Sequence, residues 1–265
     1  MTIRLLTIPI SHYCEKVRWG LERLGLAYHE EAHIQGFHYW RTYRLSRQLL
    51  VPVLIDSGET ITGSASILRH LERYARPEDK LYPDTPPLRA RVGELEALFD
   101  NVLGVESRRW FYFQYRQEPA STILRLIAQR VPVHERLVAR WLLRPMQAFA
   151  RKRLNISPQT VEAGLEQVSQ ILARTDALLA DGRRYLLGDR FTAADLSFAC
   201  LMAPFTLPRR YGVWLPCPEE LPTAMQTTVR TICQSLSGQY AIRLFEEERP
   251  APVWTHEASG SKEIA

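Results

Sequence analysis

The chain has 265 residues, 46% of them hydrophobic, which suits one large domain or two smaller ones and excludes an intrinsically disordered polymer. Its 34 basic and 29 acidic residues leave a formal net charge of +5, carried by scattered arginines and not by the concentrated stripe that nucleic-acid binding needs. No run of about 18 apolar residues occurs, so neither a membrane span nor a membrane partner is expected.

Taken in order, residues 3–8 (Ile-Arg-Leu-Leu-Thr-Ile) read as a strand and lack the long apolar core and cleavage site of a signal peptide. Residues 12–25 read as a helix: Val17, Leu21 and Leu24 recur at helical spacing and Gly25 ends it. A second strand is expected over 26–32. Residues 36–50 are aromatic and basic, and irregular or helical. Next, Val51-Pro52-Val53-Leu54 puts proline, which cannot donate to a ladder, at the mouth of a strand. It marks a strand start, an edge or a cis turn. Ser57-Gly58 is a hairpin-turn signal between two short apolar runs. Gly63-Ser64 enters a helix over 64–74 with Ile67, Leu68 and Leu71 on one face. There the Ser64 hydroxyl can cap the helix and the free N–H groups can hold a carboxylate. A proline turn, a hairpin and an anion-binding helix start in one short stretch look like a site for a small acidic peptide. The order β-α-β-(α)-β-β-α predicts a small α/β layer with a mixed sheet.

Residues 75–87 are polar and proline-rich and read as a linker, and the chain beyond them is helical. The expected division is 1–76, a linker 77–88, an all-α domain 89–250 and a disordered tail 251–265. Residues 121–153 mix apolar residues with arginine. A helix over 158–180 buries Val161, Leu165, Val168 and Leu172. Thr192 is an N-cap and Asp195, three residues on, closes a capping box, with Phe191 placed to staple onto Leu196. The helix running to Met202 is almost wholly apolar and is expected at the centre of the second domain. The four cysteines, Cys14, Cys200, Cys217 and Cys233, form no CxxC pair and no metal-ligand spacing, so no metal and a reducing, cytoplasmic setting are expected.

In this order and at these distances, Val51-Pro52-Val53-Leu54, Gly63-Ser64-Ala65-Ser66-Ile67 and Gly188-Asp189-Arg190-Phe191-Thr192-Ala193-Ala194-Asp195 resemble the cytosolic glutathione transferases. The resemblance implies a thioredoxin-like domain that binds glutathione as co-substrate and an all-helical domain with a pocket for a small-molecule electrophile. It also implies a homodimer and conjugation of the glutathione thiolate to that electrophile. The Val51 backbone would pair with the cysteinyl part of glutathione beside Pro52, and Ser64 would hold the γ-glutamyl carboxylate. Gly63 stands where much of the family has Gln or Glu, so one side-chain contact to glutathione is missing.

Ser11-His12-Tyr13-Cys14 is similar to the serine-type classes, in which a serine hydroxyl and the helix N-terminal amides lower the pKa of the bound thiol. As a bare residue Ser11 is equally a helix N-cap. His12 reads as exposed and without a role, and Tyr13 is a second hydroxyl that can reach the sulfur. Cys14 is either a buried structural cysteine or the reactive thiol of a glutathione-dependent reductase or peroxidase. In 106–115, dense in aromatics and arginine, Arg109, Trp110 and Tyr112 either line the electrophile pocket or pack as core. Gly63 and the unusual middle segment also leave open a non-catalytic binding module.

Overall fold

The computed structural model describes residues 3–250, so the tail expected over 251–265 lies outside the described residues. The N-terminal part runs β1 (Ile3–Thr7), α1 (His12–Arg23), β2 (Tyr28–Ala32), α2 (His38–Ser46), β3 (Val53–Asp56), β4 (Glu59–Thr62) and α3 (Ser64–Leu71). The basic, aromatic segment after β2 is therefore helical in its middle. The sheet order is β2-β1-β3-β4, with β1 parallel to β2 and antiparallel to β3, the mixed sheet that the sequence predicts. Helix α1 supplies the crossover that the parallel pair needs. The hairpin turns at Ser57 (φ 52°) and Gly58 (φ 90°), two left-handed residues whose twist matches the flanking strands. Val17 and Leu21 of α1 and Ile67 and Leu71 of α3 close over Leu5 and Leu54 of the sheet.

The remainder is helical: α4 (Pro86–Leu98), α5 (Gly104–Tyr115), α6 (Ala120–Ile127), α7 (Val133–Arg153), α8 (Pro158–Leu179), α9 (Ala193–Thr206), α10 (Thr223–Gln234) and α11 (Leu236–Glu247). A single π turn, Phe99–Leu103, joins α4 to α5 without a break. Helix α9 is buried along nearly its whole length and forms the centre of the bundle, as its apolar sequence predicts. Its start is fixed by Asp195, which accepts from the Thr192 N–H (2.7 Å), the Thr192 hydroxyl (2.8 Å) and the Leu186 N–H (2.8 Å). Phe191, expected to staple onto Leu196, stacks on Trp19 of α1 with ring centroids 5.8 Å apart.

Helix α1 is covered on both sides, by the sheet and by α9, and so buries Glu15, Lys16, Arg18 and Glu22 together with its apolar residues. Buried charges persist only when paired. Lys16 Nζ meets Asp100 of the π turn at 2.6 Å, Arg18 meets Glu30 of β2 at 2.7 Å, and Arg249 Nε donates to Glu15 at 2.9 Å while its Nη1 reaches Glu22. These pairs join the sheet, the π turn and the C-terminal end of α11 through one helix.

Candidate functional site

Strand β1 ends beside the start of β3, with Leu6 opposite Val53. The loop into α1 and the segment before β3 therefore emerge at the same edge of the sheet. There the Val51–Pro52 peptide bond is cis, and the Pro52 carbonyl accepts from the Gly63 N–H at 3.2 Å. That bond draws the start of α3 to the proline turn, so Val51, Pro52, Gly63 and Ser64 lie together. Gly63 has φ 83°, a left-handed conformation that glycine adopts without a Cβ penalty. A Cβ there would meet nothing within 4 Å, so the backbone and not space selects glycine. Ser64 opens α3, whose first N–H groups have no partner within the helix.

Ser11 caps α1: its Oγ accepts from the Cys14 N–H at 3.4 Å, and the side chain stays half-buried. Capping uses the oxygen as acceptor and leaves the hydroxyl proton to donate elsewhere, so the cap and the thiol-donor readings are compatible in one side chain. Its neighbours differ from expectation. His12, read as exposed, is buried against the Tyr13 ring at 4.7 Å because α5 covers this end of α1. Burial, reinforced by the Arg108 guanidinium, holds its pKa down to about 3, so it is neutral at physiological pH. Tyr13 donates its hydroxyl to the Asp100 carbonyl at 2.6 Å. A π turn disturbs the regular helix ladder, and Tyr13 satisfies the carbonyl concerned. The Tyr13 hydroxyl thus belongs to the joint between sheet and bundle, and burial pushes its pKa up. Cys14 is fully buried; burial raises its thiol to about 11, against smaller opposing effects of Arg18 and Ser11.

Beside the Ser11 loop lies a cavity of about 410 Å³. Ile8, Ile10 and Gln35 form its floor, and Tyr112 and Tyr115 of α5, Leu126 of α6 and Met146 of α7 its walls. The Tyr112 hydroxyl donates to Gln35 Oε1 at 2.6 Å and ties the bundle to the loop after β2. Of the three candidates in 106–115, Tyr112 alone lines this cavity. Trp110 points into the bundle core, its ring 4.6 Å from Phe205, and Arg109 is turned toward Glu106 and the Leu154 carbonyl at 3.2 Å. With successive residues about 100° apart, α5 directs Tyr112 and Tyr115 one way and Trp110 another. Sequence reasoning missed Gln35, Tyr115, Leu126 and Met146. The strongly one-sided apolar pattern of α6 was a signal that this helix covers something; Gln35 gave none. Among the described residues, no group of three or more His, Cys, Asp or Glu side chains is placed to hold a metal ion.

Residues 5–79 match the family model for the glutathione S-transferase N-terminal domain, and residues 158–223 match that for the C-terminal domain. Among solved structures, a glutathione S-transferase from Rhodospirillum rubrum F11 is 22% identical, with 94% of each chain covered and a TM-score of 0.56. A theta class enzyme from Xanthomonas axonopodis pv. citri, solved with glutathione bound, is 23% identical over 91% of this chain and 96% of that one, with a TM-score of 0.54. A glutathione S-transferase from Methylobacterium radiotolerans JCM 2831, in complex with glutathione sulfonate, is 18% identical over the whole of both chains, with a TM-score of 0.55.

Proposed function

The chain belongs to the glutathione S-transferase family, and from that premise we propose that it is a glutathione transferase that adds the glutathione thiolate to an apolar electrophile. One observation carries this reading: the Ser11 cap, the cis-Pro52 turn and the Gly63–Ser64 helix start share one sheet edge, next to an apolar cavity. In this reading residues 1–76 bind glutathione, residues 89–250 supply the electrophile pocket, and 77–88 link them. The edge at Val51 offers backbone pairing to the extended peptide, and the first N–H groups of α3 with Ser64 receive its γ-glutamyl carboxylate. The Ser11 hydroxyl donates to the sulfur, and the N-terminal end of α1 adds its partial positive charge. Both favour the thiolate, which forms the C–S bond as the leaving group departs with its electron pair, or as the activated double bond takes up the pair and then a proton. Tyr112 and Tyr115 present aromatic surface to the electrophile. The burial and raised pKa of Cys14 support transfer over thiol exchange, since a thiol exchanger needs an exposed thiolate.

Steady-state conjugation of a chloronitroarene tests the reading. In Ser11→Ala, kcat/KM at neutral pH is expected to fall roughly 100-fold, as when one preorganised donor to a developing or full anion is removed. The rising limb of its pH profile is expected to move to higher pH. An unchanged rate and profile would remove Ser11 from the chemistry, and no saturable glutathione dependence in the wild type would remove the transferase reading. The proposed assembly is a two-fold homodimer, which light scattering checks directly.

A further inference from the structure

One face of the molecule has no partner within the described chain. Helix α7 is anchored along a narrow strip: Ala139 and Leu143 are buried, and the Glu135 carboxylate is held by the His33 ring at 2.5 Å and the Ile34 N–H at 2.9 Å. Successive residues turn by about 100°. That spacing puts Leu137 and Trp141 opposite the strip and Val138, Leu142 and Phe149 on the flank toward α2, and all five are exposed, Trp141 to 87%. Arg136, Arg140, Arg144 and Arg151 run along one flank of this apolar stripe, also exposed. Glu135 is the helix's one acidic residue and is buried, so every charge that α7 shows to solvent is positive.

The face continues onto α2, which approaches α7 through Tyr39 and Phe149, ring centroids 6.5 Å apart. Trp40 is 71% exposed, and Tyr43 on the same helix and Leu50 beyond its end are exposed too. Arg44 and Arg47 stack on Trp40 and Tyr43 at 5.5 Å each. Residues 33–50 contain no Asp or Glu. Two helices thus present bulky apolar side chains interleaved with arginine, on a common surface and without an exposed acid.

Charge and side-chain type select among occupants. A second copy joined by a two-fold axis would bring the same arginine row to both sides of the contact, with no acid on either helix to meet it. A nucleic acid would satisfy the arginines but has no use for Leu137, Val138 and Leu142, which do not stack on bases as aromatics do. An anionic bilayer satisfies both features: arginines pair with headgroup phosphates, while tryptophan, phenylalanine and leucine enter the boundary between headgroups and acyl chains. We propose that the α2–α7 face is a peripheral docking surface for anionic lipid membranes, with α7 lying in the membrane plane.

Among the described residues no helix is long and apolar enough to cross a membrane. The expectation of no membrane partner rested on that criterion, and a helix lying in the interface does not need to meet it. The inner side of α7 lines the cavity through Leu143 and Met146, so the docked helix would stand between the cavity and the lipid surface. The proposal stands independently of glutathione chemistry.

Sedimentation of the full-length protein with large unilamellar vesicles tests it. One set is phosphatidylcholine alone and the other carries about 30 mol% phosphatidylglycerol, enough to give a strongly negative surface. Binding to the anionic set, little to the neutral set and a steady loss with added salt are expected. Reversing three flanking charges together (Arg136→Glu, Arg140→Glu, Arg144→Glu) is expected to lower the partition coefficient by about 100-fold or more. Leu137→Ser with Trp141→Ser is expected to release the protein while leaving the thermal melt unchanged, because both side chains are exposed. No binding to anionic vesicles, equal binding to both sets, or binding that survives both variants would overturn the proposal. So would a wild-type dimer that Trp141→Ser dissociates in light scattering, since that outcome gives the stripe to a second copy.

Discussion

At the scale of single residues, His12 shows how burial changes chemistry next to a proposed active-site serine. Packing against Tyr13, with Arg108 nearby, holds its pKa at about 3, against 6.5 in the unfolded chain. Between those values the unfolded state binds a proton that the folded state refuses. Stability therefore rises with pH across this window and is lost as pH falls toward 3, with a slope approaching about 1.4 kcal/mol per pH unit. His12→Asn carries no such proton. Denaturant titrations between pH 6.5 and about 5 are expected to give a flatter dependence for the variant by about that slope. Equal slopes in both proteins would place the proton uptake elsewhere, for example at His38, whose pKa burial also lowers. The sequence could not reveal this: nothing in the spacing of α1 says that its first turn meets a helix that starts ninety-two positions later, at Gly104.

At the scale of elements, what was legible is what neighbouring residues decide. The β3–β4 turn is carried by Ser57-Gly58, and the start of α9 by Thr192 and Asp195, so both were read from a few adjacent letters. The structure adds that Asp195 holds more than its own helix. It also accepts from the Leu186 N–H and from the Tyr240 hydroxyl of α11, all of it buried. Removing an exposed cap costs about 1 kcal/mol. Asp195→Ala would leave two N–H groups and two hydroxyls buried without that acceptor, and is expected to cost about 3 kcal/mol or more in urea unfolding. A loss near 1 kcal/mol would mean that water replaces the carboxylate. The cavity wall was not legible for the opposite reason. Helix α5 has bulky side chains on several sides, and packing against α8 and α9 decides that Trp110 turns inward and Tyr112 toward the cleft. Of the two readings open for Arg109 and Trp110, pocket or core, that long-range choice takes Trp110 into the core and turns Arg109 to Glu106, while the gathering of Pro52, Gly63 and Ser64 followed from hairpin register alone.

At the scale of the whole molecule, α1 is the joint between sheet and bundle, and its charges make the joint specific. Glu15 meets Arg18 and Arg249, Glu22 meets Arg249 and Tyr28, and Lys16 meets Asp100, with little or no solvent at any of them. The same helix begins at Ser11, so these pairs also fix where the proposed thiol donor stands relative to the cavity. Such pairs add little net stability over well-packed apolar residues, but breaking one leaves a buried charge and costs about 3–5 kcal/mol. Arg249→Met would leave Glu22 buried without a cation and Glu15 with Arg18 alone, two carboxylates two turns apart on one side of α1. For a chain of this size such a loss lowers the melting temperature by roughly 10 °C. Replacing Glu15, Glu22 and Arg249 together by apolar residues of similar size is expected to recover most of that loss, because no charge is then left unpaired. Because the pairs lie between the two parts, the wild type is expected to unfold in one calorimetric transition and Arg249→Met to broaden or split it. Two resolved transitions in the wild type would show instead that sheet and bundle melt independently, and that the buried pairs hold α1 in position without coupling the two halves.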